Sequence, residues 1–134
     1  METYREIAAR LRAQEVPHIN CAQAVVIPFA KQVGIPEETV MRFADGFGGG
    51  MKMGSVCGAA SGAVMALGLF GLGNPETLGQ LYQKFLKNHY DMLDCRDLLR
   101  VNAEAGNEKK PFCDGMVLEC VDLVEEILKE NGKI

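Results

Sequence analysis

Residues 47 to 72, FGGGMKMGSVCGAASGAVMALGLFGL, restrict the fold more than any other stretch of this chain. No charge occurs between Met53 and Gly73. Gly48-Gly49-Gly50 is expected to lie outside regular structure, because glycine loses the most backbone entropy on ordering. From Ser55 onward the stretch reads as a helix of small residues, with Gly58, Gly62 and Ala66 four apart and Ala59 and Ala63 likewise. Residues four apart share one helix face, so this helix offers a smooth groove to another backbone. Cys57 lies in its first turn. The 20 uncharged residues from Met53 to Leu72 are long enough to cross a bilayer. Five glycines and two serines among them keep the hydropathy low, so a buried helix is favoured and no membrane span is expected.

The rest of the chain reads as helices of ordinary length. Thr3 to Gln14 places Ile7 and Leu11 on an apolar face, with Tyr4 and Ala8 beside them. Asn20 is a good N-cap for a helix from Cys21 to about Val33, closed by Gly34 and apolar nearly all round, as a central helix must be. Pro28 inside it removes one backbone hydrogen bond and reads as a packing adaptation. A short third helix starts at Pro36 and ends near Asp45-Gly46. The small-residue helix follows, capped by Ser55 and stopping at Gly71 to Gly73. Asn74-Pro75 opens a fifth helix, Glu76 to about Met92, with Leu78, Leu81, Tyr82, Phe85, Leu86 and His89 in one stripe. Asp94 caps a short helix from Cys95 to Val101, and Asn102 to Pro111 reads as a polar loop. The last helix runs from about Cys113 to Asn131, with Met116, Val117, Cys120, Leu123, Val124, Ile127 and Leu128 at 3-4 spacing. No stretch alternates like a strand. The expected fold is all-α: one domain, residues 1–134, a compact bundle of five to seven helices around the small-residue helix.

Composition narrows the function classes. With 14 basic and 18 acidic residues the net charge is −4, and no basic cluster marks a nucleic-acid partner. Met1 to Gln14 is charged throughout and lacks a signal-peptide pattern, so a cytoplasmic, reducing location is expected. There, five cysteines point to redox thiols or metal ligands rather than permanent disulfides. The glycine run with Lys52 and Ser55 does not fit the phosphate-binding pattern G-x-x-x-x-G-K-[ST], and no strand precedes it.

The cysteines are spaced by 36, 38, 18 and 7 residues, with no CxxC pair. Spacing alone therefore gives neither a thioredoxin-type motif nor a zinc ribbon. Their expected positions are more informative. Cys21, Cys57, Cys95 and Cys113 all fall at predicted helix N-termini. Free N–H groups and partial positive charge there stabilise thiolate, the reactive and metal-binding form. Each cysteine alone also reads as a small core residue, and Cys120, in mid-helix on the apolar stripe, is read that way. His89 is a weak candidate for pairing with a thiolate or holding a metal, and otherwise a packing histidine; His18 is weaker. Asp91 and Asp94 are expected to raise the Cys95 thiol pKa.

Four motifs occur in order: NCAQAV at 20–25, GFGGGM at 46–51, CGAASGA at 57–63 and CRDLL at 95–99, followed by Cys113 with Val117 four later. Over roughly residues 18 to 130 the chain resembles the C-GCAxxG-C-C family of redox-active proteins. The resemblance implies that Cys21, Cys57, Cys95 and Cys113 are the four characteristic cysteines and that the role is redox. Cys120 is an addition to that pattern, read as a resolving thiol or as core.

Three functions follow. In the first, the four cysteines are the catalytic thiols of a thiol-dependent oxidoreductase that cycles between thiol and disulfide without a cofactor, serving a redox partner the sequence does not identify. In the second, the same four thiolates hold zinc or an iron–sulfur cluster for electron transfer. In the third, the Gly58/Gly62/Ala66 groove is a partner surface, for example in a homodimer, and the cysteines are structural.

Overall fold

The computed structural model describes residues 1–134 as an all-α bundle of seven helices: α1 (Tyr4–Ala13), α2 (Cys21–Gln32), α3 (Glu37–Phe43), α4 (Gly58–Leu69), α5 (Pro75–Asn88), α6 (Cys95–Glu104) and α7 (Lys109–Glu130). The only β-type pairing is an isolated antiparallel bridge between Val56 and Asp94. No helix is long and apolar enough to cross a membrane.

The helix starts are set by local chemistry. Thr3 and Glu6 form a reciprocal capping box on α1, and Asn20 and Gln23 do the same on α2. The Asn74 side chain accepts from the Thr77 amide at 2.8 Å, and Pro75 fills the first position of α5, where its missing N–H costs nothing.

Helix α2 lies at the centre, with every residue from Ala22 to Ala30 buried. Its most extensive partner is α4, and α7 packs against α1, α2, α4 and α5. The close fit of α2 to α4 comes from the small-residue face. A Cβ added at Gly62 would stand 2.8 Å from the Ala22 carbonyl oxygen. One at Gly58 would stand 3.0 Å from the Phe47 carbonyl and 3.4 Å from Cys21 Cβ. The face read above as open to a second copy is thus filled from within, by α2. Tyr4 stacks on the buried Phe29 at a centroid distance of 4.5 Å and ties α1 to the same core. Losing a buried aromatic of this kind costs about 3–5 kcal/mol.

Several boundaries differ from the sequence expectation. Ser55 does not cap α4; Cys57 holds the cap position and the helix starts at Gly58. The reason is that the segment before it is committed elsewhere: the Cys57 amide donates to the Leu93 carbonyl (2.9 Å) and the Cys95 amide to the Ser55 carbonyl (2.7 Å). Helix α4 ends at Leu69 and α5 at Asn88, where Tyr90 and Asp91 turn to positive φ. Helix α6 runs on to Glu104. Much of the expected 102–111 loop is helical, because α7 begins at Lys109 with Pro111 in its first turn, a place where proline is tolerated. Between α3 and α4 the backbone makes a left-handed turn: Gly49, Gly50, Met51 and Lys52 have φ of 65°, 66°, 59° and 57°.

Candidate functional site

The four helix-associated cysteines meet in one cavity of about 800 Å³, lined by Cys21, Cys57, Cys95 and Cys113. Each arrives on a different element. Asn20 fixes Cys21 at the start of α2 through its capping box, while its side-chain amide donates to the Asp45 carbonyl at 3.1 Å and holds the 45–48 segment. Gly48 passes so close that a Cβ there would lie 2.7 Å from Asn20 Cβ. The Val56–Asp94 bridge brings Cys57 and Cys95 to the same end of the bundle. Gly50 packs under this bridge: a Cβ there would stand 2.4 Å from the Ser55 carbonyl oxygen and 2.8 Å from Cys95 Cβ. Its positive φ suits glycine as well. Cys113 comes from α7, one turn inside the helix rather than at its first residue. The expectation of four cysteines at four helix N-termini therefore holds for three.

All five cysteines are free thiols, with Cys57 and Cys120 buried and the other three half-buried. Cys21 and Cys113 line the same cavity, and each is the largest influence on the other's proton equilibrium. The hydrogen bond from Cys21 lowers Cys113 to about 7, with Arg12 and Lys109 adding to the effect against burial and Asp114. Its coupling to Cys113, reinforced by burial, raises Cys21 far above the ordinary thiol range. Arg12 is itself only 8% exposed. It is held by Asp114 Oδ1 at 2.7 Å and by the Ile19 carbonyl at 2.8 Å.

The other two thiols of the cavity behave differently. Burial pushes Cys57 up to about 11, although the Ala59 and Ala60 amides at the start of α4 oppose it. Burial also raises Cys95, and Cys113 adds to the rise; Asp91 and Asp94, expected from sequence to be responsible, are not among its causes. Cys120 is fully buried, lies outside the cavity lining and is held protonated by desolvation.

His89 is remote from this chemistry. Its Nε2 lies 2.9 Å from both carboxylate oxygens of Glu119 and its ring packs on Phe85, so it joins α5 to α7. His18 lines the cavity mouth and is exposed. For the zinc or iron–sulfur alternative, no group of three or more His, Cys, Asp or Glu side chains is arranged to hold a metal ion. The four sulfurs share a cavity without closing into a cage.

Sequence reasoning missed Arg12, Lys109 and Asp114 as members of the site. They sit on faces that read as solvated helix or polar loop. Only the docking of α1 against α7 brings Arg12 to Cys113.

A family model described as "Putative redox-active protein (C_GCAxxG_C_C)" matches residues 19–127. The chain belongs to this family. Neither a curated protein nor a solved structure matches it.

Proposed function

We propose that this member of the C-GCAxxG-C-C family carries out thiol–disulfide exchange, with Cys113 as the attacking thiolate and Cys21 as the resolving thiol. The observation that carries the reading is the meeting of Cys21 and Cys113 in one cavity beside the buried Arg12, with Cys113 lowered to about 7 chiefly by Cys21. A thiol with a pKa near ambient pH is the best compromise between thiolate fraction and intrinsic nucleophilicity.

Cys113 Sγ attacks one sulfur of a substrate disulfide, forming a mixed disulfide and expelling the other half as thiolate. Cys113 then no longer accepts the Cys21 hydrogen bond, which removes the main cause of the raised Cys21 pKa. Cys21 gives its proton to the first departing thiolate and attacks Cys113 Sγ, expelling the second half as thiolate, which takes its proton from water. The substrate has then left as two thiols, and the protein holds a Cys21–Cys113 disulfide. Cys57 and Cys95 stay protonated at neutral pH because burial raises both.

To test this, the reduced full-length chain is treated with a small disulfide, alkylated and mapped by mass spectrometry. The expected product is a Cys21–Cys113 crosslink that dithiothreitol reverses. Cys21→Ser should instead stop at a mixed disulfide on Cys113. If the wild-type chain yields no crosslink and all four cavity thiols remain free, the reading fails.

A further inference from the structure

The cavity that holds the four sulfurs carries a charge opposite to that of the whole molecule. The chain has 18 carboxylates against 14 cations. Arg12, Lys52, Arg96, Lys109 and Lys110 line the cavity, and no aspartate or glutamate does. Asp114, next to the lining residue Cys113, is engaged by Arg12 and Lys110. Lys52, Arg96 and Lys109 make no ion pair or side-chain hydrogen bond, and all three are exposed, so their charges remain available to a ligand. Lys52 stands in the left-handed turn at φ 57°, a conformation that costs a lysine of order 1–3 kcal/mol and that tends to persist at functional sites. The two glycines before Met51 lead the backbone into this turn, and Gly50, pressed against Ser55 and Cys95, fixes where it points.

The interior beneath these cations is apolar, with Leu98, Leu99, Phe112 and Met116. A volume of about 800 Å³ lies within the range of small-molecule sites and greatly exceeds a single oxyanion. The half-buried thiols lie inside a concave cavity, a shape that suits a compound small enough to enter it.

We infer that the cavity binds a low-molecular-weight anionic thiol compound, and that its substrate is the corresponding disulfide, carrying carboxylates that pair with Lys52, Arg96 and Lys109 while its sulfurs face Cys113. This inference rests on the exchange reading above for its chemistry, but the recognition stands on the charge and shape of the cavity. The reaction is the same balanced sequence: one anionic disulfide is reduced to two thiols as Cys21 and Cys113 are oxidised to one disulfide.

The test compares three probe disulfides on the reduced full-length chain at pH 7: glutathione disulfide (anionic), hydroxyethyl disulfide (neutral) and cystamine (cationic). Opposite charge in a focused cleft raises association rates 10–10³-fold. The anionic probe should therefore oxidise the chain at least tenfold faster than cystamine at low ionic strength, and added salt should shrink the difference. Combining Lys52→Gln and Arg96→Gln should remove most of the preference while leaving the neutral probe within a few-fold. Equal rates for all three probes, or a preference that survives the double substitution undiminished, overturns the inference. A second arm uses S-methylglutathione, which has no exchangeable sulfur, in a calorimetric titration. If it binds and no disulfide oxidises the chain, the anionic site stands and the exchange reading falls. If disulfides react without regard to charge and S-methylglutathione does not bind, the exchange reading stands and the anionic site falls.

Discussion

On the α2–α7 side of the cavity, Cys21 and Cys113 influence each other beside the Arg12 guanidinium. On the α4–α6 side, Cys57 and Cys95 are drawn in by the two backbone hydrogen bonds that flank the Val56–Asp94 bridge. Residue type and cavity are the same, yet Cys113 falls to about 7 while Cys57 rises to about 11. Helix starts do not explain the difference. Cys57 has the first amides of α4 beneath it and still rises, whereas Cys113 lies one turn inside α7 and falls. A thiol donor and a nearby cation outweigh helix-terminal amides once burial is charged against both. Lys109 acts on Cys95 as well as Cys113, and on Cys95 it does not overcome desolvation.

Removing one sulfur from each side separates the two sets of thiols most strongly. At pH 7 a thiol of pKa about 7 is half ionised, and one of about 11 is ionised roughly once in 10⁴. The intrinsic nucleophilicity gained with basicity, at a Brønsted slope of 0.4–0.5, returns less than two of those decades, leaving roughly 10²-fold. Cys113→Ser should therefore lower the pH 7 rate with a small disulfide by about 10²-fold, and Cys57→Ser or Cys95→Ser by only a few-fold. A larger loss in Cys57→Ser than in Cys113→Ser would reverse the assignment of the two sides.

The α4–α6 side is best probed through Gly50, whose added Cβ would meet Ser55 and Cys95. Gly50→Ala should destabilise the fold by about 2 kcal/mol, from overpacking and a strained φ, read from urea denaturation. It should also spread Cys57 and Cys95 apart while the Cys113 alkylation rate keeps its pH dependence. A shift in the Cys113 profile would mean that the two sides are not separable.

The smallest expected effect is at Arg12. Its charge favours the Cys113 thiolate, and its removal also frees Asp114, which disfavours it. Iodoacetamide reactivity of Cys113 should rise with pH through about 7 in the wild type. In Arg12→Gln the midpoint should move up by about one pH unit, the lower end of what a neighbouring charge does. An unchanged midpoint would leave Cys21 and Lys109 as the causes of the lowered pKa.

The elements with strong local signals could be read from the chain directly. Asn20 and Asn74 cap the helices they were expected to cap, and the Gly58/Gly62 spacing marks a face that does accept another backbone. Local signals failed where non-local pairing decided the outcome. Ser55 is a good cap by residue type, but its carbonyl is taken by Cys95 and the helix starts three residues later. The polar stretch before Pro111 looked like a loop because charged residues and a proline also describe a solvated first turn of helix. The identity of the four cavity cysteines was visible from their motifs. Their unequal proton affinities were not, because those depend on Arg12 and Lys109, which reach Cys113 only in the packed bundle.

The four cavity sulfurs are contributed by positions 21, 57, 95 and 113, spread over most of the chain. A polypeptide emerging from the ribosome would show Cys21, Cys57 and Cys95 as slow thiols near pKa 8.5. The activated sulfur exists only after α7 has docked beside α1 and α2 and set Cys113 against Cys21. The appearance of a fast-reacting thiol during refolding would therefore time the arrival of the last helix.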